Sequence, residues 1–188
     1  MAVFFTLFDT AIGGCAIAWS ARGIGCVQLP EVNERTTQAR VLQRFSRAIE
    51  AAPPSEVVRA QDAIVAYLRG EPADLSFVLL DMDLVASFHR RVYEAARCIP
   101  RGATMTYGAL AAKAGAAGSA RAVGQALARN PFAIIVPCHR VVATGGGIGG
   151  FSANGGIATK SRLLAIEGHE QVAPRLFDGA RALPHRYR

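Results

Sequence analysis

The sequence predicts an α+β fold: a small antiparallel sheet with covering helices at the N-terminus, then a mainly helical domain built on a helix-turn-helix. Three observations carry this. Short apolar or aromatic runs at 2–8, 13–19 and 23–29 are separated by Gly-containing or polar turns, the pattern of an antiparallel meander. Helical spacing replaces strand spacing from about residue 33. Two short capped helices then follow one another at 107–114 and 120–129 across a glycine turn.

Taken in order, the first helix is expected over 33–51. The second, over 55–69, is opened by Ser55 and Glu56 after Pro53-Pro54 and closed by Gly70 and Pro72. A segment near 75–80 reads as a further strand, and a helix from about 84 to 98 stops at Pro100 and Gly102. The expected units are an N-terminal lobe over 1–84, a C-terminal lobe over 85–172 and a basic tail over 173–188, with no internal repeat. In the second lobe Thr106 is placed to cap a helix that Gly115 ends, and Ser119 to cap another that runs to Arg129, before Asn130-Pro131. The apolar run from Phe132 to Val136 reads as a short buried strand that delivers Pro137-Cys138-His139-Arg140 at its exit.

Composition bounds the function. With 188 residues, 51% hydrophobic and 19% charged, the chain can bury a sizeable core, which excludes a disordered protein. No apolar run reaches the roughly 18 residues of a membrane span, and the apolar start lacks a basic leader. A soluble, non-exported protein is expected, cytoplasmic, and nucleoid-associated or nuclear according to the type of cell. Four cysteines without a CxxC pair suit a reducing compartment that keeps thiol chemistry available. Net charge is +7, but residues 1–100 carry −1 and residues 101–188 carry +8. A lobe that faces a polyanion is expected to show this asymmetry, because cationic side chains displace counterions from phosphates.

Placed at 100° per residue, the helix after Ser119 turns Val123, Ala126 and Leu127 to one side and Arg121, Gly124, Gln125 and Ala128 to the other. The second face is nearly bare. Gly124 costs about 1 kcal/mol relative to Ala in a helix interior, so close approach of a partner, such as a narrow minor groove, is one reading. Arg121 then reaches into the duplex. Packing against the other lobe, with Arg121 solvated, accounts for the same spacing. Cys138 beside His139 is open in the same way: Pro137 fixes the approach of the chain and a neighbouring base makes a thiolate, yet such a pair also occurs as plain structure.

The stretch 102–168 resembles the O6-alkylguanine-DNA alkyltransferases. The match is carried by Thr106-Tyr107-Gly108, Arg121-Ala122-Val123-Gly124, Asn130-Pro131, Pro137-Cys138-His139-Arg140-Val141-Val142, Leu163-Leu164 and Glu167-Gly168. The resemblance implies single-turnover repair of double-stranded DNA. The alkyl group of O6-alkylguanine, with O4 of thymine as a second candidate position, passes irreversibly to Cys138 of a monomeric protein after the base is flipped through the minor groove. It implies that His139 takes the thiol proton through a water, that Glu167 orients His139, and that Asn130 braces the turn. Tyr107 sits by the 3′ phosphate and Arg121 fills the stack; Ala120, Gly124, Gln125 and Ala128 complete the DNA-facing set. Tyr107, Pro137, Val141, Phe151, Ser152, Gly155 and Gly156 line the alkylguanine pocket. No metal or organic cofactor is required, and Cys15 and Cys26 are too few for a closed zinc site.

This chain departs from the family pattern where Phe151-Ser152 is followed by Ala153-Asn154 before Gly155-Gly156. The loop is therefore longer at the edge of the alkyl pocket. Gly145, Gly147 and Gly150 satisfy GxGxxG but open no helix, which argues for a flexible lip over a dinucleotide site. A cysteine hydrolase leaves Arg121 and the bare helix unexplained. A lesion-recognition module without transfer is the remaining alternative, and the presence of Cys138 argues against it.

Overall fold

The computed structural model describes residues 1–83 and 85–169. The expected basic tail at 173–188 lies outside the described residues, as do 170–172. The three expected strands form: β1 (Phe4–Phe8), β2 (Cys15–Ser20) and β3 (Gly23–Gln28), antiparallel in sequence order. Alternation splits the sheet between two cores. Cys15, Ile17 and Trp19 join the main cluster, whereas Ala16, Ala18 and Cys26 face the smaller one with Val41. Cys15 and Cys26 therefore point to opposite faces.

The first helix, α1 (Glu34–Arg44), is shorter than expected. Asn33 opens it with a reciprocal capping box to Thr36. The helix ends because the open edge of β1 captures the chain: Ile49 N–H bonds Val3 O at 3.0 Å and Ala51 N–H bonds Phe5 O at 3.0 Å, making β4 (Ile49–Glu50) a parallel fourth strand. The expected strand near 75–80 is also corrected. It meets β3 at a single bridge, Ile24 to Leu80, because farther along the same edge Val27 pairs with Phe132. Neither segment can extend past the other.

Helix α2 (Ser55–Leu68) buries Val57, Ala60, Gln61, Ile64, Tyr67 and Leu68, the i, i+3, i+4 stripe of a helix on a core, and Gly70 at φ +87° ends it. Helix α3 (Ser87–Arg97) opens the second lobe. A two-residue strand β5 (Met105–Thr106) runs into α4 (Tyr107–Lys113), where the Thr106 hydroxyl accepts from Ala109 N–H. Gly115 and Gly118, both at positive φ, turn the chain into α5 (Ala120–Ala128). Ser119 occupies the N-cap position but its side chain makes no capping bond, contrary to expectation. Val141–Val142 forms β6 beside β5, and α6 (Ile157–Ile166) closes the described chain. The principal core runs through both lobes, from Ile17 and Ile64 to Tyr93, Val123, Phe132 and Leu163. Among the described residues, no helix is long and apolar enough to cross a membrane.

Candidate active site

The segment that presents Cys138 is a turn, not the expected strand. Only Phe132 bridges to β3; the chain then folds back with Val136 N–H on Phe132 O at 2.8 Å. Ile134 stands at φ +71°, a strained conformation for a β-branched residue. A five-residue apolar run has the same signature in a buried strand and a buried turn. Asn130 holds the turn at both ends: its Oδ1 accepts from Phe132 N–H at 3.0 Å and its Nδ2 donates to Val136 O at 2.9 Å.

Cys138 begins a single 3₁₀ turn and is half-buried, while His139, next to it, is fully buried. Burial pushes the Cys138 thiol up from its ordinary value; the Asn130 amide and the Lys160 ammonium pull the other way. His139 Nε2 lies 2.8 Å from Glu167 Oε1 and 2.9 Å from the Tyr67 hydroxyl. Its Nδ1 has no hydrogen-bond partner among the described residues. Burial lowers the imidazole below its ordinary pKa against the opposing pull of Glu167, which favours the neutral ring. With Nε2–H held by a carboxylate, the Nδ1 lone pair is free to act as a base.

Glu167, at the C-terminal end of α6, gathers many donors. Arg140 Nε approaches its two oxygens at 2.9 and 3.2 Å, Gly102 N–H donates at 3.0 Å, and Tyr67 donates to Oε1. Against the cost of burial, the His139 and Arg140 hydrogen bonds hold its carboxyl well below the ordinary range. Tyr67, Arg140 and Lys160 are the members that sequence reasoning missed. Arg140 stood inside the quoted motif, but nothing in the spacing told its role. Lys160 is completely buried, with Nζ on the carbonyls of Val141, Ile148 and Gly150, and its ammonium is lowered to about 8 by burial. A lone lysine in a helix pattern gives no sign of this.

Cys138 opens onto a cavity of about 340 Å³ lined by Tyr107, Gly124, Leu127, Ala128, Gly150, Phe151 and Ser152. A second cavity of about 400 Å³ shares Cys138, Leu127, Ala128, Phe151 and Ser152 and extends to Gln43 and Arg44 of the first lobe. Of the expected pocket residues, Tyr107, Phe151 and Ser152 are brought together. Pro137 and Val141 are buried, and Gly155 and Gly156 lie at the start of α6; none of the four borders either cavity. The longer loop reaches the other lobe, where Asn154 Nδ2 meets Pro30 O at 3.5 Å.

Helix α5 is turned as its periodicity requires. Val123, Ala126 and Leu127 are buried, Arg121, Gln125 and Ala128 are exposed, and Ala120 and Gly124 are half-buried. A Cβ on Gly124 would meet only the Tyr107 ring, at an ordinary 3.8 Å, so the protein itself does not demand glycine there. Gly124 and Ala128 of this helix also line the cavity onto which Cys138 opens.

A helix-turn-helix with a half-buried free cysteine in a cavity beside its second helix is the architecture of a DNA-binding domain that holds a thiol next to its recognition helix. Residues 87–169 match the family model described as the DNA binding domain of 6-O-methylguanine DNA methyltransferase. The chain is 38% identical over 148 residues to the methylated-DNA–protein-cysteine methyltransferase of Mycobacterium tuberculosis, covering 77% of this chain and 87% of that one. It is 40% identical over 119 residues to that of Methanothermobacter thermautotrophicus, 63% of this chain and 65% of that one. The crystal structure of Mycobacterium tuberculosis OGT in complex with DNA superposes with a TM-score of 0.71 at 34% identity, covering 89% and 94% of the two chains. The O6-methylguanine-DNA methyltransferase of Pyrococcus kodakaraensis gives 0.64 at 30%, covering 88% and 99%. This chain belongs to the methylated-DNA–protein-cysteine methyltransferase family.

Proposed function

We propose that this protein repairs DNA by direct reversal, moving the alkyl group from O6 of guanine to Cys138, one alkyl group per molecule. The observation that carries the reading is the half-buried Cys138 facing the cavity beside α5, with a neutral, carboxylate-held imidazole behind it. His139 Nδ1 takes the thiol proton through a bridging water, and Glu167 stabilises the imidazolium that results. Sulfur attacks in line as the carbon–O6 bond breaks. The electron pair leaves with guanine, which is neutralised at N3 by the proton of the Tyr107 hydroxyl; Tyr107 then regains a proton from solvent as the His139 imidazolium gives its own back, so no net proton is consumed. The product thioether has no accessible reverse step.

Access requires the base to leave the stack. The exposed face of α5 fits the minor groove, Ala120, Gly124, Gln125 and Ala128 allow close approach, Tyr107 turns the nucleotide out, and Arg121 takes its place. Asn130 keeps the thiol presented while the flipped base enters between Phe151-Ser152 and Tyr107. The protein acts as a monomer on alkylated duplex DNA.

The test is intact-protein and peptide mass spectrometry after mixing with duplex DNA that contains one O6-methylguanine, with Cys138→Ala as control. One added methyl per molecule, on Cys138 and absent from the control, is expected. Tight lesion binding without transfer would replace this reading with a recognition module.

A further inference from the structure

We propose that Tyr67, a residue of the first lobe outside the matched family domain, is a positioning residue of the transfer centre that locks the orientation of the His139 ring; this deepens the reading above and rests on it. Tyr67 is 1% exposed in α2 and is separated from His139 by 72 positions in the chain. Its hydroxyl touches both His139 Nε2 and Glu167 Oε1.

The proton directions follow from the chemistry of the three groups. An ionised carboxylate only accepts, so the Tyr67 O–H donates to Glu167. The phenol oxygen can then only accept from His139, so Nε2 carries the hydrogen and shares it between Glu167 Oε1 at 2.8 Å and Tyr67 Oη at 2.9 Å. Two neighbouring acceptors fix the direction in which Nε2–H points as well as the tautomer. With one acceptor, the ring has a pivot about which Nδ1 can swing away from the thiol. The titratable and charged groups facing His139 are Tyr67, Arg140, Lys160 and Glu167.

The first lobe is tied to this spot by a second contact. Arg101 donates to Gly70 O at 2.7 Å and to Glu71 O beyond the end of α2, and to Ile166 O at 3.1 Å beside Glu167. Its guanidinium stands 5.3 Å from the centre of the Tyr67 ring. The end of α2 and the end of α6 are thus clamped together where the hydroxyl meets the carboxylate.

Tyr67→Phe removes only the hydroxyl. The single-turnover rate of methyl transfer from O6-methylguanine duplex should fall roughly tenfold at pH 7 with duplex affinity unchanged, since misorientation of a proton acceptor commonly costs that much or more. The deficit should narrow as pH rises toward the ionisation of the thiol itself, when hydroxide replaces His139. A general loss of structure would lower the rate equally at all pH values, and that result overturns the proposal. The His139 ring should give one sharp set of ¹⁵N-correlated resonances, protonated on Nε2, in the wild type, and broadened or doubled resonances in the variant. Wild-type rate together with wild-type ring resonances overturns it also. If the wild type transfers no methyl to Cys138, the functional reading fails, while the ring resonances still decide the role of Tyr67. Should Tyr67→Phe not fold, the wild type decides: a slowly exchanging Tyr67 hydroxyl proton with a nuclear Overhauser contact to the His139 ring is expected, and its absence overturns the lock.

Discussion

Replacing Glu167 with Gln should separate the chemistry of this centre from its affinity for DNA. Glu167 Oε1 accepts from His139, Tyr67 and Arg140, and Oε2 from Gly102 N–H and Arg140. An amide offers one oxygen that accepts and one NH₂ that only donates. If its oxygen replaces Oε1, its NH₂ confronts Gly102 N–H and Arg140; if it is turned over, the NH₂ confronts His139 and Tyr67. In the first orientation a buried donor meets donors, in the second the hydrogen is driven off Nε2, and in both Arg140, whose side chain is 11% exposed, loses its counter-charge. Removing one partner of a buried pair costs about 3–5 kcal/mol. At about 2–4 °C per kcal/mol for a chain of this size, Tm should fall by roughly 10 °C. The turned-over amide also favours the Nδ1–H tautomer, which takes the lone pair away from the thiol, so the transfer rate at pH 7 should fall by about 10² or more. Duplex affinity should hold, because Glu167 is buried and forms no part of the α5 face. The assay is single-turnover methyl transfer from O6-methylguanine duplex alongside thermal melting; a rate within threefold of wild type would refute the base-and-orienter reasoning. Acid stability provides a second check. The Glu167 carboxyl is depressed when folded, so its stabilisation is present above the unfolded carboxylate range and is lost as pH falls below about 4. His139 is also depressed when folded, so the unfolded state gains protons first below about 6.5 and stability declines from there. The variant should lose the lower of these two limbs in urea titrations.

Asn130→Ala removes both hydrogen bonds that close the Cys138 turn and leaves Ile134 strained without support; a loss of about 2–3 kcal/mol is expected in urea unfolding. Lys160→Met leaves the carbonyls of Val141, Ile148 and Gly150 without their donor and Cys138 without a nearby cation. Both Tm and the rate of thiol alkylation by a small reagent at pH 7 should fall, the latter because less thiolate forms. Gly124→Ala should stabilise the free protein by up to about 1 kcal/mol, since a Cβ meets only ordinary contact, yet weaken duplex binding measured by fluorescence anisotropy. Arg121→Ala should slow transfer from duplex DNA far more than transfer from free O6-benzylguanine, because its side chain is exposed on α5 and forms no part of the thiol cavity; equal losses would count against the flipping role.

Local sequence was enough for elements whose partners are near in the chain. The alternation of β1, β2 and β3 and the cap at Thr106 are properties of a few adjacent residues, and the buried stripe of α5 follows from helical pitch alone. The family resemblance carried by the motif around Cys138 and by Glu167-Gly168 named the candidate nucleophile, base and carboxylate, and the tertiary structure brings His139 and Glu167 to 2.8 Å.

What the sequence by itself determined about this protein is its fold class, its family motifs and the thiol at the end of an apolar run. Tertiary structure alone decided the rest, and in each case the physical cause is competition among distant groups. The chain after Arg44 became β4 because the edge of β1 was open, and the segment before Leu80 did not become a strand because Phe132 shares the edge of β3. Phe132–Val136 folded as a turn because Asn130 satisfies its two ends. Tyr67 and Lys160 entered the site because a buried imidazole, carboxylate and loop carbonyls each needed a partner, and long-range packing supplied one from another lobe or helix.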